Sequence, residues 1–133
     1  VKEASGNISQ VAKIMSLADG CVDVYSGNDD QIVPMLSLGG KGVISVVANI
    51  LPEETHNICQ YYLDGKTDEA LKLQLDMLDV INNLFIEVNP IPVKEALCLM
   101  GKDVGRCRMP LSPINEKNKA ILVFRNLILQ EIC

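Results

Sequence analysis

The sequence predicts an α/β fold in which parallel βα units are followed by a wholly helical region. Three observations predict it. Short β-rich segments alternate with helical periodicity over the first fifty residues. Residues 43–47 form an almost continuous β-branched run, which is typical of a parallel strand buried on both faces. Beyond Pro52 the spacing of apolar residues is helical throughout.

The first fifty residues are interpreted as three strands separated by two helices. Residues 1–4 resemble the end of a strand that enters a loop. Apolar residues from Ile8 to Ala18 recur at helical spacing before an Asp-Gly stop. Residues 22–25 alternate apolar and polar side chains, which predicts the second strand. A short helix over residues 29–38, opened by two aspartates, leads to the third strand, predicted over residues 43–47.

The helical region begins with Pro52, which suits a first helical turn, and its first helix is expected to end near Asp64. Thr67 is predicted to cap a longer helix whose buried stripe comprises Leu71, Leu75, Leu78, Ile81 and Phe85. Pro92 opens a helix that ends at Gly101. Asn115 is predicted to cap a last helix, packed through Ile121, Phe124, Leu127 and Ile128. The expected domains are 1–64 for the βα units and 65–133 for the helices.

Composition excludes several classes of function. The net charge is −5, and Lys and Arg are scattered, which argues against nucleic acid and anionic membranes as partners. The longest apolar stretch, residues 42–51, is far shorter than the roughly 18 residues that a membrane span needs. The start of the chain does not resemble a signal peptide. Five cysteines without Cys-x-x-Cys spacing favour reduced thiols, and hence a cytoplasmic location, over disulfides or zinc.

The strand pattern predicts that this chain is a piece of a larger sheet. Three parallel strands cannot close a sheet, and nearly continuous apolar strands require cover on both faces. An eight-stranded barrel is the commonest parallel fold whose last βα units could lead into additional helices, and its active sites collect at the strand ends. Candidate chemical groups follow the three predicted strands: Lys2, the segment 26–29, and Ser45 with Asn49.

Four blocks of sequence carry a resemblance to a known family. They are residues 1–7 (VKEASGN), 25–30 (YSGNDD), 39–46 (GGKGVISV) and 89–94 (NPIPVK), and residues 108–113 (RMPLSP) extend the likeness. In this order and at this spacing, they strongly resemble the dihydrodipicolinate synthase family. The resemblance implies a (β/α)8 TIM barrel with a C-terminal all-helical domain, assembled as a homotetramer that is a dimer of dimers. The chain is similar to the part that runs from the end of strand 6 through helix 8 and the helical domain.

The resemblance also implies the chemistry. Family members condense pyruvate with L-aspartate 4-semialdehyde to 4-hydroxy-tetrahydrodipicolinate, in lysine biosynthesis through diaminopimelate, without cofactor or metal. Lys2 corresponds to the lysine that forms the Schiff base with pyruvate. By the same resemblance the backbone of Ile44 abuts pyruvate, Gly27 lines the pocket, and Asn28 lies where the semialdehyde enters. Ile8, Ser9 and Leu38 are expected where the two dimers meet, although positions on an ordinary helix face explain them nearly as well.

This sequence departs from the pattern of the family in two respects. Many members carry an acidic residue where Asn28 stands, so a charged role at that position is in doubt. The groups that move protons, bind the semialdehyde carboxylate and respond to lysine are expected upstream of Val1, in the N-terminal half of the barrel, so the isolated chain is expected to be inert.

The alternative functions are those of an N-acetylneuraminate lyase or a keto-deoxy sugar acid aldolase of the same superfamily. A third is a non-catalytic fragment that assembles with a separate N-terminal half. The pair Asp29-Asp30 is interpreted as helix capping, and His56 with Cys59 as a surface histidine rather than part of a zinc site.

Overall fold

The structure, a computed structural model, describes residues 1–123, which divide into two units with the boundary after Leu78. The first unit contains the sheet and the helices around it. The second unit begins at Asp79. The domain boundary predicted after residue 64 concerns the complete barrel and stays a prediction.

Three short parallel strands form the sheet of the first unit: β1 (Lys2–Glu3), β2 (Tyr25–Ser26) and β3 (Gly42–Val43). They lie side by side in chain order. In register, the first residues of the three strands pair with one another, as do the second residues. The prediction of parallel βα construction is confirmed.

The helices of the described chain follow in order. They are α1 (Ile8–Ala18), α2 (Ile32–Ser37), α3 (Pro52–Leu63), α4 (Thr67–Asp76), α5 (Leu78–Asn83) and α6 (Ile91–Leu99). Two 3-10 turns, Asp29–Gln31 and Val47–Asn49, precede α2 and α3 respectively. Residues 116–123 are also helical. No helix within residues 1–123 has the length and apolarity needed to cross a membrane.

Both later strands are shorter than the sequence predicts. The second strand occupies residues 25–26 instead of 22–25. Just before it, the carbonyl of Asp23 accepts from the terminal amine of Val1, and the carbonyl of Val24 accepts from the backbone N–H of Lys41. The third occupies residues 42–43 instead of 43–47. It ends early because the backbone N–H groups of Val46 and Val47 donate to the carboxylate of Asp29 and not to a neighbouring strand.

Local signals set both ends of α1. The side-chain oxygen of Asn7 accepts hydrogen bonds from the backbone N–H groups of Ser9 at 3.1 Å and Gln10 at 3.2 Å, which is N-capping geometry. At the other end Asp19 adopts a left-handed conformation, with φ of 43°. The predicted helix from Ile8 to Ala18 is therefore confirmed in both bounds.

Helices α1 and α2 cover one face of the sheet. Val11 of α1, Val24 just before β2, and Met35 of α2 form a fully buried apolar cluster. Three half-buried apolar side chains pack against it: Ile14, Met15 and Leu38. This packing holds β1, β2 and β3 in place from one side only.

The long helix predicted from Thr67 differs from the structure in three respects. Met77 separates α4 from α5, and Thr67 is the first helical residue with no side-chain cap at this end. The predicted stripe is largely wrong, because Leu71, Leu75, Leu78 and Phe85 are exposed and only Ile81 of that set is buried. The buried residues are Ala70, Gln74, Met77, Ile81 and Leu84. Except at Ile81, the buried positions are displaced by one residue, about 100° around the helix. Within α4, the side chain of Gln74 points inward and bonds to the backbone of Val33 and Asp29.

In the second unit α6 begins at Ile91 with Pro92 in its first turn, as predicted. Asn115 caps the following helix, since its side-chain oxygen accepts from the backbone N–H of Lys117 at 2.9 Å. Ile91, Ile114 and Leu122 form the buried cluster of this unit. The predicted packing of Ile121 is wrong, because Ile121 is exposed and the neighbouring Leu122 is buried instead. The predicted packing residues Phe124, Leu127 and Ile128 lie outside the described residues.

Candidate active site

Lys2, Gly27 and Ile44 lie on one face of the sheet, at the carboxyl ends of three neighbouring strands. Side chains alternate between the faces of a strand, so Lys2 and Ala4 share a face, and Gly27 and Ile44, two residues after Tyr25 and Gly42, lie on that face too. The space around Gly27 agrees. A β-carbon built on Gly27 would lie 2.5 Å from Ala4 Cβ and 2.8 Å from Lys2 Cε.

This face is exposed, whereas the opposite face is buried. Lys2 is exposed, and Tyr25 and Ile44 are 37% and 49% exposed. On the opposite face Glu3 and Ser26 are buried under the helices. A parallel sheet is normally covered on both faces. The face that carries Lys2 is left uncovered by the described residues.

The backbone of the site is fixed by the sheet ladder, which continues one residue beyond β2 and β3. The N–H of Gly27 donates to the carbonyl of Glu3 at 2.6 Å, and the N–H of Ile44 donates to the carbonyl of Ser26 at 2.8 Å. Gly27 is needed there for steric reasons, because any side chain would collide with β1. Backbone groups at Gly27 and Ile44 therefore have defined positions beside Lys2.

The loop after β2 is held by Ser26. Its hydroxyl donates to the carbonyl of Asn28 at 2.8 Å and accepts from the N–H of Asn28 at 3.2 Å. The half-buried Asn28 side chain lies beside the loop after β1, since its Nδ2 would be 3.4 Å from a β-carbon on Gly6. The structure thus brings Asn28 next to the loop that follows Lys2.

Glu3, on the buried face behind the site, is a supporting residue that sequence reasoning missed. It is 7% exposed, and its Oε1 accepts from the backbone N–H of Ser5 at 3.0 Å and from Nε2 of Gln10 at 3.2 Å. These bonds tie the loop after Lys2 to α1. A glutamate at an inward position of a strand was the available signal, because charged side chains are rarely buried without partners.

The second feature that sequence reasoning missed is the hydrogen bond between Gln74 and Asp29. Asp29 begins a 3-10 turn, as the capping interpretation expects, but its buried carboxylate bonds to the backbone after β3 and does not cap its own turn. Gln74, on α4, donates from Nε2 to the carbonyl of Asp29 at 2.8 Å. Gln74 is 3% exposed. A glutamine within an otherwise apolar helix face was the only signal for it.

Ser45 and Asn49 have local roles near the end of β3. The Ser45 hydroxyl accepts from the N–H of Ala48 at 2.8 Å, and Nδ2 of Asn49 donates to the carbonyl of Val46 at 2.9 Å. Both side chains stabilise the 3-10 turn that follows β3. The structure gives them no contact with Lys2.

The model of the dihydrodipicolinate synthetase family matches residues 1–126. The chain belongs to this family. It is 62% identical over 122 residues to 4-hydroxy-tetrahydrodipicolinate synthase of Clostridium novyi, which covers 92% of the chain and 41% of the relative.

Solved structures of the dihydrodipicolinate synthetase family agree. The synthase of Thermotoga maritima superposes with a TM-score of 0.89 at 38% identity, covering 97% of this chain and 44% of that one. A structure described as the first monomeric dihydrodipicolinate synthase variant superposes with a TM-score of 0.88 at 38% identity, covering 98% and 44%. The chain thus spans less than half the length of these relatives. These relatives are named as synthases.

The residues that the family resemblance assigns to the dimer–dimer contact have different environments. Ile8 and Ser9 are exposed in the first turn of α1. Leu38, just after α2, is half-buried and packs against the apolar cluster of the first unit. Ile8 and Ser9 are accessible to a partner, and Leu38 contributes to the core as well.

Metal-ligand side chains and one thiol with a shifted pKa were the remaining candidates for chemistry in the described part of the chain. Within residues 1–123, no three His, Cys, Asp or Glu side chains come together as metal ligands would. His56 is exposed on α3. Burial raises the pKa of the Cys59 thiol, and a backbone hydrogen bond at Val43 acts in the opposite direction. Cys59 is therefore a neutral packing side chain at neutral pH.

Proposed function

We propose that this chain is the C-terminal part of a 4-hydroxy-tetrahydrodipicolinate synthase, a lyase of lysine biosynthesis through diaminopimelate. The complete enzyme condenses pyruvate with L-aspartate 4-semialdehyde. Lys2 forms the Schiff base with pyruvate. The proposal is supported by the family match over residues 1–126 and by the high identity to a relative of that name.

The observation that carries the proposal is the shared face of Lys2, Gly27 and Ile44. An amine, a residue without a side chain and an exposed backbone segment meet at the ends of three adjacent parallel strands. Active sites of parallel α/β barrels collect at such strand ends. A small keto acid beside Lys2 has room over Gly27 and backbone groups of Ile44 within reach.

The chemistry follows from the amine. Lys2 Nζ attacks the keto carbon of pyruvate, and loss of water gives an imine that withdraws electrons. The pyruvate methyl group then loses a proton, and the resulting enamine attacks the aldehyde carbon of the second substrate. Asn28 lies on the entry side for that substrate and offers an amide where many family members have a carboxylate. The proton-moving groups belong to the upstream half of the barrel.

The exposed sheet face supports the finer fold assignment. In this proposal β1, β2 and β3 are the ends of strands 6, 7 and 8 of a TIM barrel, and the helical domain follows from residue 65. The barrel's N-terminal half covers the face that carries Lys2 and excludes water from it. This half is either the preceding part of the same polypeptide or a separate chain.

The complete enzyme is proposed to be a cytoplasmic homotetramer, a dimer of dimers, with Ile8, Ser9 and Leu38 at the contact between dimers. The exposed apolar side chain of Ile8 supports this assignment. A reducing compartment fits the free thiols at positions 21, 59, 98 and 107 within the described chain.

Borohydride trapping tests the proposed function. The complete enzyme is incubated with pyruvate and sodium borohydride, and its peptides are analysed by mass spectrometry. We expect a reduced pyruvate adduct on Lys2, and none in the Lys2→Arg variant, which keeps the positive charge but forms no imine under these conditions. An unmodified Lys2 in the wild-type enzyme overturns the proposal. Turnover of pyruvate with N-acetylmannosamine instead of aspartate semialdehyde would point to the lyase alternative.

Native mass spectrometry tests the need for an N-terminal half. The chain of 133 residues is expressed alone and mixed with the upstream half of the enzyme. We expect a stable complex of the two halves. A well-folded lone monomer of 14.6 kDa that ignores the upstream half contradicts the assignment of the exposed sheet face.

A further inference from the structure

A buried carboxylate connects two of the three strand ends at the candidate site. Asp29 is 1% exposed. Its Oδ2 accepts from the backbone N–H groups of Val46 at 2.9 Å and Val47 at 3.3 Å. We call this pair of bonds the Asp29 clamp. It joins the loop after β2 to the backbone that leaves β3.

The Asp29 clamp is itself anchored from α4. Gln74 donates from Nε2 to the carbonyl of Asp29 at 2.8 Å, and its Oε1 accepts from the N–H of Val33 at 3.3 Å. One glutamine side chain therefore satisfies two backbone groups on either side of the 3-10 turn that Asp29 begins. Since Gln74 is almost fully buried, these bonds are shielded from competition with water.

Ile44 lies between two fixed points. On its N-terminal side its own N–H donates to the carbonyl of Ser26 at 2.8 Å. Two residues later the Asp29 clamp holds Val46. The direction of the Ile44 carbonyl therefore depends on both the sheet ladder and the clamp.

We propose that Asp29 and Gln74 are positioning residues for the keto-acid subsite, which set the backbone of Ile44 relative to Lys2. This inference rests on the proposed function, because it takes pyruvate to lie against Ile44. Neither side chain touches the substrate. Loss of the clamp frees the segment 44–47 to move away from Lys2, which weakens the binding of pyruvate against Ile44 by on the order of 10-fold, the equivalent of about one hydrogen bond.

A plain capping role predicts a different outcome. If Asp29 only stabilised its own turn, its removal would lower the amount of folded enzyme and leave the KM for pyruvate of the folded fraction unchanged. The clamp predicts a raised KM in the folded fraction.

The other carboxylate oxygen of Asp29, Oδ1, is buried and has no hydrogen-bond partner within the described structure. An amide at this position can therefore keep its oxygen on Val46 and Val47 with its NH2 group at the Oδ1 position.

The test uses three variants of the complete enzyme. Asp29→Leu removes both carboxylate oxygens and has a side chain of similar size, whereas Asp29→Asn keeps one acceptor oxygen. Asp30→Asn is the matched control at the exposed neighbouring aspartate. KM for pyruvate and kcat are measured per active site, counted by borohydride trapping at saturating pyruvate. We expect the KM of Asp29→Leu to rise on the order of 10-fold or more, that of Asp29→Asn to rise far less, and that of Asp30→Asn to stay at the wild-type value.

An unchanged KM per trapped site in Asp29→Leu overturns the inference, and so does a rise of equal size in Asp30→Asn. Should Asp29→Leu fail to fold, Gln74→Met decides, because it removes the anchor at similar size and is expected to raise the same KM. An unchanged KM in the folded Gln74→Met enzyme then overturns the inference. Failure of the proposed function itself is visible separately, as absence of the Lys2 adduct in the wild-type enzyme.

Discussion

Gly27 lies directly against the side chain of Lys2: a β-carbon on Gly27 would come within 2.8 Å of Lys2 Cε. The same β-carbon would be 2.5 Å from Ala4 Cβ and 3.1 Å from the carbonyl oxygen of Glu3. Neighbouring β-strands therefore approach one another here without a side chain between them. The position of the candidate Schiff-base lysine depends on that empty space.

The variant Gly27→Ala of the complete enzyme is expected to lose activity. The added methyl group pushes β2 away from β1 or turns the Lys2 side chain aside, and such overpacking costs about 1–3 kcal/mol of stability. We expect kcat/KM to fall on the order of 100-fold in a steady-state assay. The matched control is Gly65→Ala, at a positive φ of 80° with no atom within 4 Å of the new β-carbon. It loses a similar free energy of unfolding, about 1–2 kcal/mol, and retains activity; equal activity losses in both variants would contradict this account.

Replacement of Glu3 is expected to loosen the loop after Lys2. Glu3→Leu leaves the N–H of Ser5 and the amide of Gln10 without their acceptor, which costs about 1–3 kcal/mol. Glu3→Gln keeps a side-chain oxygen and is expected to lose less than half of that free energy. Urea unfolding of the complete enzyme, followed by circular dichroism, measures the difference. If the two variants had the same midpoint, the hydrogen bonds of Oε1 would not be the stabilising feature.

The proposed contact between dimers predicts an assembly defect. Ile8→Glu places a charge in an apolar contact, where an unpaired carboxylate is poorly solvated, so we expect the tetramer to dissociate into dimers at micromolar concentrations. Sedimentation velocity measures the mass. The control is Leu17→Glu, which makes the same kind of change on α1 nine residues later, about 180° around the helix; Leu17 is 76% exposed. A tetramer that persists in Ile8→Glu removes Ile8 from the interface.

The raised pKa of Cys59 predicts slow alkylation with a displaced pH profile. The thiolate is the reactive form, and burial favours the neutral thiol, so the folded protein needs a higher pH to react. We expect the iodoacetamide labelling rate of Cys59 in the folded enzyme to reach its half-maximum at a higher pH than in the same chain unfolded in urea. Peptide mass spectrometry measures both profiles, with the exposed Cys21 as an internal standard that is labelled early. A folded-state profile at or below the unfolded one would refute the prediction.

The sequence by itself determined the elements that depend on neighbouring residues. The cap at Asn7, the stop at Asp19 and the cap at Asn115 lie within three or four residues of the groups they bond to. The order of strand and helix was equally readable, since periodicity is a local property. The four motif blocks, in their order and spacing, were sufficient for the family, which the family match confirms.

Only the tertiary structure decided where strands stop and which helix face is buried. β3 ends at Val43 because Asp29, 17 residues before Val46, takes the backbone N–H group that a longer strand would have used. Gln74 turns inward, and Leu71 and Leu75 outward, because Gln74 bonds to a carbonyl 45 residues away. Such choices depend on partners that are brought together only when the chain folds, and the leucine spacing alone favoured the neighbouring face. The hydrogen bonds between strands that place Gly27 and Ile44 also join distant parts of the chain, so the geometry of the candidate site belongs to the fold and its chemistry to the sequence.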